Sequence, residues 1–377
     1  MLSLVSLFTD MASEMLYPVM PVFLKSIGFS ILLIGLLEGI AEGTAGLSKG
    51  YFGKLSDATG RRVPFVQLGY ALSAIAKPLM AVSVFPLWIF LARATDRLGK
   101  GIRTGARDAM LSQEATPETK ARVFGLHRSF DTMGAFIGPS LALAFLYFYP
   151  GHYKSLFLVA FVPGVAAIFL TLLLNDKVNA PHEKKKFSFL SFVSYWRQAP
   201  IAYRKLVVGL LFFTLINSSD VFLLLKVKSA GLSDTLVIGV YIFYNLIYAL
   251  ASFPAGMLAD FWGLKRTLVL GLFLFACVYA GMAVEGDLWW FGFLFFLYGI
   301  YAACTESIAK AWITNICDPK DAATAIGTFT AFQSVGTLFA SVLAGGIWYQ
   351  WGASTLFAVT GILALIVVLY FALLRKA

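Results

Sequence analysis

Acidic side chains occur inside two long apolar stretches near the start of the chain. Asp10 and Glu14 are four residues apart, and Glu38 and Glu42 repeat the same spacing. In a helix, residues at i and i+4 lie on one face. Ionisable groups inside a bilayer are costly, so they line a cavity or pair with another charge. We therefore expect Asp10 and Glu14 to line a partly hydrated cavity, where a carboxylate can exchange protons or contact a charged solute.

Charged residues also fall within the later apolar stretches of the first half. The full set of candidates there for proton coupling or for lining a solute cavity is Asp10, Glu14, Glu42, Arg93, Asp96, Arg97, Arg128 and Asp131. Within this set we expect Arg128 and Asp131 to be partners. Structural ion pairs between helices are an open alternative for each single residue. For Glu306 and Lys310, spaced i,i+4 in the second half, an ion pair is the favoured interpretation.

A polar, glycine-rich motif occurs twice, 203 residues apart. Residues 53–62 read Gly-Lys-Leu-Ser-Asp-Ala-Thr-Gly-Arg-Arg, and residues 256–266 read Gly-Met-Leu-Ala-Asp-Phe-Trp-Gly-Leu-Lys-Arg. The first glycine of each copy permits close helix approach, the second permits a tight turn, and the aspartate can cap a helix or pair with a base such as Arg61. The motif residues are Gly53, Asp57, Gly60, Arg61, Arg62, Gly256, Asp260, Lys265 and Arg266.

We interpret this motif as a latch. Its charge-assisted bonds would hold the two halves of the protein together on one side of a membrane and break when the other side closes. The alternative interpretation is that the motif supplies only turn chemistry and the charges that orient a membrane protein.

The repeat offset also compares the buried charges of the two halves. Charged positions of the first half align with neutral residues of the second: Glu14 with Asn217, Asp131 with Gln333, Arg128 with Thr330 and Asp10 with Phe213. The repeated fold therefore does not demand these charges, and we expect the first half to carry most of the proton coupling or charge recognition. The second half is expected to supply hydrogen bonds and local pairing through Asn217, Asp220, Tyr244, Asn245 and Gln333.

The composition is that of a membrane protein. Hydrophobic residues make up 59% of the chain, charged residues 13%, and the mean hydropathy is +0.79. A membrane-spanning helix needs about 20 apolar residues. The pattern predicts an all-α membrane protein with twelve transmembrane helices, at 2–27, 30–52, 64–85, 86–108, 120–148, 153–175, 204–228, 232–257, 267–285, 288–313, 322–348 and 352–375. These form two six-helix pseudo-symmetric bundles, 1–175 and 204–377, joined by a cytoplasmic linker at 176–203.

Charge and motifs limit the other functions. The net charge of +10 falls mainly in alternate connections, so the positive-inside rule explains it and places both termini in the cytoplasm. We expect no nucleic-acid binding, because no separate basic domain is present. No metal-ligand cluster, nucleotide loop or catalytic constellation is visible, so we expect no cofactor and no enzymatic activity. The three cysteines lack a metal or disulfide spacing.

The motif at 53–62 resembles the signature of the major facilitator superfamily between its second and third spans, and the weaker copy at 256–266 matches that family's second half. Arg93-Ala-Thr-Asp96-Arg97-Leu-Gly99 is similar to a further motif of the family, although Arg97 stands where glycine is usual. The stretches 96–108 and 124–131 resemble a bacterial branch of poorly defined substrate. The resemblance covers the whole chain and implies two six-helix bundles, a central cavity and alternating access.

The sequence thus predicts a monomeric secondary transporter of the inner (plasma) membrane. It would move a small polar or charged solute by alternating access, coupled to protons, with export favoured. One alternative is transport of a metal ion or metal chelate through Asp10, Glu14, Glu38 and Glu42, although carboxylates alone suit soft metals poorly. A membrane sensor or scaffold that does not transport is the other.

Overall fold

The computed structural model describes residues 1–17, 19–20, 23–24, 27–29, 31–176 and 191–374, and the side chains of residues 31–42, Ser191, Asp234 and Thr235 lie outside this description. The long helices of the first half are α1 (Leu2–Glu14), α2 (Ile31–Thr59), α3 (Val63–Val82), α4 (Pro86–Gln113), α5 (Lys120–Phe148) and α6 (Tyr153–Thr171). Those of the second half are α7 (Ile201–Ile216), α8 (Val221–Ser229), α9 (Asp234–Trp262), α10 (Leu264–Met282), α11 (Leu288–Ile316) and α12 (Ala322–Leu373). A short 3-10 turn (Ser191–Ser194) and one helical turn (Tyr195–Gln198) precede α7.

Eight helical segments within the described residues are long and apolar enough to cross a membrane. Two of them contain interruptions. The segment 201–229 is broken between Ile216 and Val221, and α12 contains Gly352 with a φ of 84°, which divides it into two helical parts. That division falls between the predicted spans 322–348 and 352–375. The predicted span at 204–228 corresponds to the single segment 201–229, but its helix is interrupted where the chain leaves the helix at Asn217.

The first helix ends at Glu14 within the predicted span 2–27, and Leu16 and Val19 donate to acceptors three residues back. Residues 20, 23 and 24 are again helical, and Phe23 and Ile27 donate to acceptors four residues back. The sequence carries proline at positions 18 and 21. A proline has no N–H and clashes with the preceding turn, so a regular helix is disfavoured there.

The described residues form two compact units. Unit 1 comprises Met1–Glu114, Phe130–Ala199 and Cys317–Ser334, and unit 2 comprises Ala115–Ser129, Pro200–Ile316 and Val335–Ala377. The first turns of α5 therefore belong to unit 2, and the first turns of α12 belong to unit 1. The domain division at 1–175 and 204–377 remains a prediction.

Glycines let helices approach closely where the charged residues of unit 1 meet. A side chain at Gly134 of α5 would lie 2.5 Å from the Leu7 carbonyl of α1, and one at Gly138 would lie 2.6 Å from the Met11 carbonyl. Both distances are too short for a Cβ atom, so only glycine permits this packing. The close approach brings the acidic face of α1 against α5.

Candidate functional site

Asp57 of the first motif caps a helix from the far end of the chain. Its Oδ2 atom accepts hydrogen bonds from the backbone N–H of Thr324 at 2.7 Å and from the Thr324 hydroxyl at 2.8 Å. Thr324 lies in the first turn of α12, where backbone N–H groups have no partner within the helix. The Asp57 carboxylate therefore satisfies the positive end of that helix.

Arg62 holds the other side of the same carboxylate. Its Nη2 atom lies 3.2 Å from Asp57 Oδ1, and its guanidinium also donates to the carbonyls of Ala109 and Pro319, each at 3.3 Å. Arg62 is 2% exposed, whereas Arg61 is exposed. The expected pairing of Asp57 with Arg61 is therefore wrong. The turn that Gly60 makes, with a φ of 67°, is followed by one exposed and one buried arginine.

Burial has the largest effect on the pKa of Asp57, a residue that lies beyond the predicted span at 30–52. Loss of hydration raises its pKa to about 6, against the opposing effects of Arg62 and of the bonds from Thr324. A carboxylate is ordinarily ionised well below this pH. Asp57 can thus change its protonation state close to physiological pH.

Asp260 of the second motif repeats the arrangement within unit 2. Its Oδ1 atom accepts from the N–H of Ala121, and its Oδ2 atom accepts from the N–H and the Nε of Arg122, all at 3.0 Å. Ala121 and Arg122 lie in the first turn of α5. Each motif aspartate therefore caps the start of a helix from the other half of the sequence, and the capped residues Arg122 and Thr324 are themselves 202 positions apart.

The first glycine of each motif makes the same close contact. A Cβ atom on Gly53 would lie 2.4 Å from the Ala323 carbonyl, and one on Gly256 would lie 2.5 Å from the Ala121 carbonyl. Each contact lies within one unit, at the helix start that the neighbouring aspartate caps. The motif thus joins a backbone contact that only glycine allows to a carboxylate cap.

The basic residues of the second motif act at a different helix end. Lys265 donates to the carbonyls of Ala372 and Leu374, at 2.8 and 2.7 Å, and so neutralises the negative end of α12. Arg266 is exposed, and the turn at Gly263 has a φ of 104°. Lys265 therefore does not take the place of Arg62 beside the aspartate.

A basic face of α4 is opposed by the acids of α1 within unit 1. The positive charges of Lys100 and Arg103 interact electrostatically with the Asp10 carboxyl group. Those of Lys100, Arg97 and Arg93 interact electrostatically with the Glu14 carboxyl group. The role of these residues in proton coupling or in lining a solute cavity stays a prediction. The side chain of Glu42 lies outside the described residues.

Asp131 completes this cluster from α5. Its Oδ1 atom accepts a hydrogen bond from the Ser6 hydroxyl and lies 3.9 Å from Arg107 Nη1, and the carboxyl group of Asp10 is within hydrogen-bonding reach of it. Arg107 is bonded more closely to Asp108, at 2.9 and 3.0 Å. The result is two neighbouring carboxyl groups with an arginine at their edge.

Asp96 has a different environment. Its Oδ1 atom lies 2.7 Å from Lys77 Nζ, and its Oδ2 atom lies 3.7 Å from Arg93. Lys77 also donates to the Ser13 hydroxyl at 2.9 Å. Such a network is typical of a structural ion pair that ties α1, α3 and α4 together, which was the open alternative for Asp96.

Arg128 of α5 has partners in the second half of the sequence. It forms an ion pair with Glu306 of α11 and lies over the ring of Tyr248, 5.6 Å from the centroid. Both contacts fall within unit 2. The interpretation of Glu306 as a partner of Lys310 therefore requires revision, because Glu306 also pairs with Arg128.

The polar candidates of the second half occupy several environments. Asn217 donates to the Tyr301 hydroxyl at 3.1 Å, and Asp220 accepts from the Tyr298 hydroxyl at 2.7 Å. Tyr244 is buried beside Tyr298, whereas Asn245 donates to a carbonyl of its own helix, that of Tyr241. Gln333 is half-buried.

Several residues that bind the candidate carboxylates were not among the candidates chosen from the sequence. Ser6, Lys77, Arg107 and Tyr298 each bind one of these carboxylates. Ser6 lies four residues before Asp10 and so shares its helix face, a signal that was available in the sequence. Lys77 and Arg107 were visible as charges in apolar surroundings, but their partners depend on tertiary packing.

Comparisons with known proteins cover the whole chain. The profile of the Major Facilitator Superfamily matches residues 2–247 and 224–377. An uncharacterized MFS-type transporter of Methanocaldococcus jannaschii is 31% identical over 354 residues, which span 92% of this chain and 87% of that protein. A multi-drug resistance efflux pump PmrA homolog of Lactococcus lactis is 22% identical, over 91% of this chain and 87% of its own length.

Solved structures share the fold. The human organic anion transporter MFSD10 has a TM-score of 0.81 at 16% identity, covering 98% of this chain and 97% of its own. The transporter FucP in its outward conformation has a TM-score of 0.81 at 12% identity, covering 100% and 98%. These similarities confirm the predicted fold class, an all-α membrane protein of twelve transmembrane helices in two six-helix bundles.

Proposed function

Because the chain belongs to the Major Facilitator Superfamily, as its loop motif predicted, it is a multi-pass membrane transporter. We propose that it carries a small molecule, that protons drive its transport cycle, and that it has no enzymatic activity. The cargo is a small polar or charged solute, moved by alternating access. Export is the favoured direction, in keeping with the sequence-based expectation and with the efflux pump homolog among its relatives.

The carboxyl groups of Asp10 and Asp131 carry this proposal. They lie within hydrogen-bonding reach of each other. Two ionised carboxylates at this separation repel, and a hydrogen bond between them requires a proton on one of the two. The pair is therefore a proton-binding site, and the close packing of α1 against Gly134 keeps the two groups together.

Loss of that proton changes the local charge. Asp10 and Asp131 would then both be ionised, and each would need a cation. Arg107, at 3.9 Å from Asp131, and Lys100, beside Asp10, are the groups placed to respond. A stronger pull of Arg107 toward Asp131 would weaken its bonds to Asp108, so proton release is linked to a rearrangement of α4.

Glu14 is the second acid of this site. Arg93, Arg97 and Lys100 act on it from α4. We assign it to proton transfer or solute contact with Asp10, since the two carboxylates share one face of α1. Neutralising it by Glu14→Gln is expected to abolish pH-driven transport.

The two motifs form the gating part of the proposal. In this conformation Asp57 and Asp260 each cap a helix start, and Gly53 and Gly256 allow the backbones to touch. We propose that these bonds break and re-form during the cycle, which is the latch expected from the sequence. Asp57→Asn should impair transport while surface expression stays normal, and normal transport by that variant would contradict the latch.

The remaining assignments follow the sequence-based expectations. The protein would be a monomer in the inner (plasma) membrane, with both termini and the linker at 176–203 in the cytoplasm. The metal alternative is weakened, because basic residues of α4 face both Asp10 and Glu14 and compete with a cation for these carboxylates. Flux measurements distinguish a transporter from a membrane sensor or scaffold, because only the transporter moves solute across the bilayer.

Proteoliposomes loaded with a pH-sensitive dye provide the test. A panel of amino acids, sugars, organic acids and organic cations is added, and proton movement after each addition is recorded. At least one solute should drive proton flux in the wild-type protein, and Asp10→Asn and Asp131→Asn should abolish it. The exposed Glu285→Gln variant serves as control. Proton flux with no member of the panel would overturn the proposal.

A further inference from the structure

The interruption between α7 and α8 exposes a helix end inside unit 2. α7 ends at Ile216, and Asn217 has φ and ψ of −86° and 89°, so the helix does not continue. The last carbonyl groups of a helix have no partner within it and give that end a partial negative charge. Broken helices in transporters place such ends at ligands, and a carbonyl end favours a cation.

A carboxylate stands at this interruption without a basic partner. Asp220 occupies the position that precedes α8, but its side chain makes no capping bond to that helix. It instead accepts from Tyr298, at 2.7 Å, and is half-buried. Among the described residues, no lysine, arginine or histidine forms an ion pair with Asp220. Unpaired carboxylates in such surroundings are costly, so this one points to a ligand of opposite charge.

Tyrosine rings surround this carboxylate. Tyr298 lies between Tyr244 and Tyr301, with ring centroids 5.1 Å away on each side. Asp220 is close enough to interact electrostatically with the hydroxyl groups of these three tyrosines and of Tyr279. Aromatic rings attract cations through the negative charge of their faces, and rings grouped around a carboxylate are the usual receptor for an organic ammonium group.

Asn217 adds an unused acceptor. Its amide nitrogen donates to the Tyr301 hydroxyl at 3.1 Å, while its Oδ1 atom is buried without a hydrogen-bond partner in the described structure. A buried acceptor that lacks a donor is costly unless a ligand supplies one. A cation that carries N–H groups would supply it.

We propose that Asp220, Asn217 and the surrounding tyrosines form a binding site for the cationic nitrogen of an organic solute, an ammonium or guanidinium group. This deepens the proposed function, on which it rests, by naming the class of cargo.

The test measures binding to the purified full-length protein. Ethanolamine, choline and agmatine are the probes, because each is a cation with an N–H or O–H donor, and 3,3-dimethylbutan-1-ol is the uncharged counterpart of choline. At least one cation should raise the melting temperature, because a ligand of the folded state stabilises it, and the uncharged alcohol should not. Asp220→Asn should weaken binding of that cation at least about ten-fold. Tyr298→Phe, which keeps the ring, should weaken it roughly two- to ten-fold, the effect of one hydrogen bond.

Glu285→Gln is the matched control, since Glu285 is an exposed acid of the same unit, and it should bind like the wild type. Binding of none of the three cations, or equal binding by wild type and Asp220→Asn, would overturn the site. If Asp220→Asn does not fold, Tyr298→Phe decides, and unchanged binding there overturns the proposal. These failures differ from failure of the proposed function. Proton flux driven by a neutral or anionic solute would refute only the cation site, whereas cation binding without any coupled flux would refute proton-driven transport.

Discussion

Asp57 illustrates how one buried carboxylate can serve both as a helix cap and as a titrating group. Its bonds to Thr324 and Arg62 favour the ionised form, but loss of hydration outweighs them and brings the pKa to about 6. In the unfolded chain the same group has a pKa near 3.8. The folded protein thus holds the proton of Asp57 more tightly than the unfolded chain does.

This difference predicts the sign of a pH effect on stability. The stabilisation that comes from the bound proton is complete below about pH 4 and is lost as the pH rises through about 6, with a size of about 3 kcal/mol. The melting temperature of the wild type should therefore fall more between pH 5 and pH 8 than that of Asp57→Asn. Thermal unfolding in detergent across this range measures it, with Glu285→Gln as control. Parallel pH profiles for wild type and Asp57→Asn would contradict the prediction.

At the scale of helices, the two motifs work by backbone contact as much as by charge. Gly53 and Gly256 each face a carbonyl group that a Cβ atom would approach to 2.4–2.5 Å. Gly43 lies on the same helix as Gly53, but a Cβ atom there would meet nothing within 4 Å. Substitutions at these three glycines can therefore distinguish the loss of a close helix contact from the gain in helix propensity when glycine is replaced.

Alanine substitutions should show this separation. Gly53→Ala and Gly256→Ala should lower the melting temperature and impair transport, because backbone carbonyls cannot move aside for the added methyl group. Gly43→Ala should leave transport unchanged and stabilise the helix by up to about 1 kcal/mol. Transport assays and thermal unfolding of the three variants measure this, and equal behaviour of Gly43→Ala and Gly53→Ala would contradict it.

The sequence predicted the elements better than the partners of particular side chains. Hydropathy placed the helices because each span carries its own apolar signal, and the bounds of α5 were predicted as they are observed. The break at Asn217 was missed, because the flanking residues are as apolar as those of a continuous span. The motif pattern indicated a cap at Asp57, but the choice of Arg62 over Arg61 depends on the direction that the chain takes after Gly60.

The partners of the buried charges could be predicted only in part. Proximity of Asp10 and Glu14 to bases followed from the cost of burying charge, which demands compensation somewhere. The pairing of Arg128 with Glu306 could not be predicted, since the two residues lie far apart in the sequence and only tertiary packing brings their helices together. Tyr298 was absent from the candidates because a single tyrosine in an aromatic-rich helix gives no distinguishing signal.

For the whole molecule, the repeat unites these observations. The same aspartate cap and the same glycine contact occur at both motif positions, while the acids Asp10, Glu14 and Asp131 align with neutral residues of the second half. The aspartate cap and glycine contact occur in both halves, as expected for gating in which both halves take part. The acids occur only in the first half, as expected for a single proton-binding site. The tyrosines around Asp220 then give the second half a separate role in solute binding.

The charge distribution predicts how the molecule is inserted. Basic residues in alternate connections place both termini in the cytoplasm. A fluorescent protein that matures only in the cytoplasm should therefore be fluorescent when fused to either terminus, and a periplasmic reporter enzyme should be inactive there. Reporter activity reversed at both ends would contradict the orientation, and reversal at one end would contradict an even number of spans.

The most direct test of the central claim compares net transport with exchange in proteoliposomes, using a solute that drives proton flux. If the pair of Asp10 and Asp131 carries the coupling proton, Asp131→Asn gives the site the charge of its protonated state, because the amide cannot ionise. The variant should lose accumulation driven by a pH gradient, yet it should still exchange internal for external solute, because exchange does not require the proton to leave. Accumulation by Asp131→Asn at the wild-type level would contradict the account.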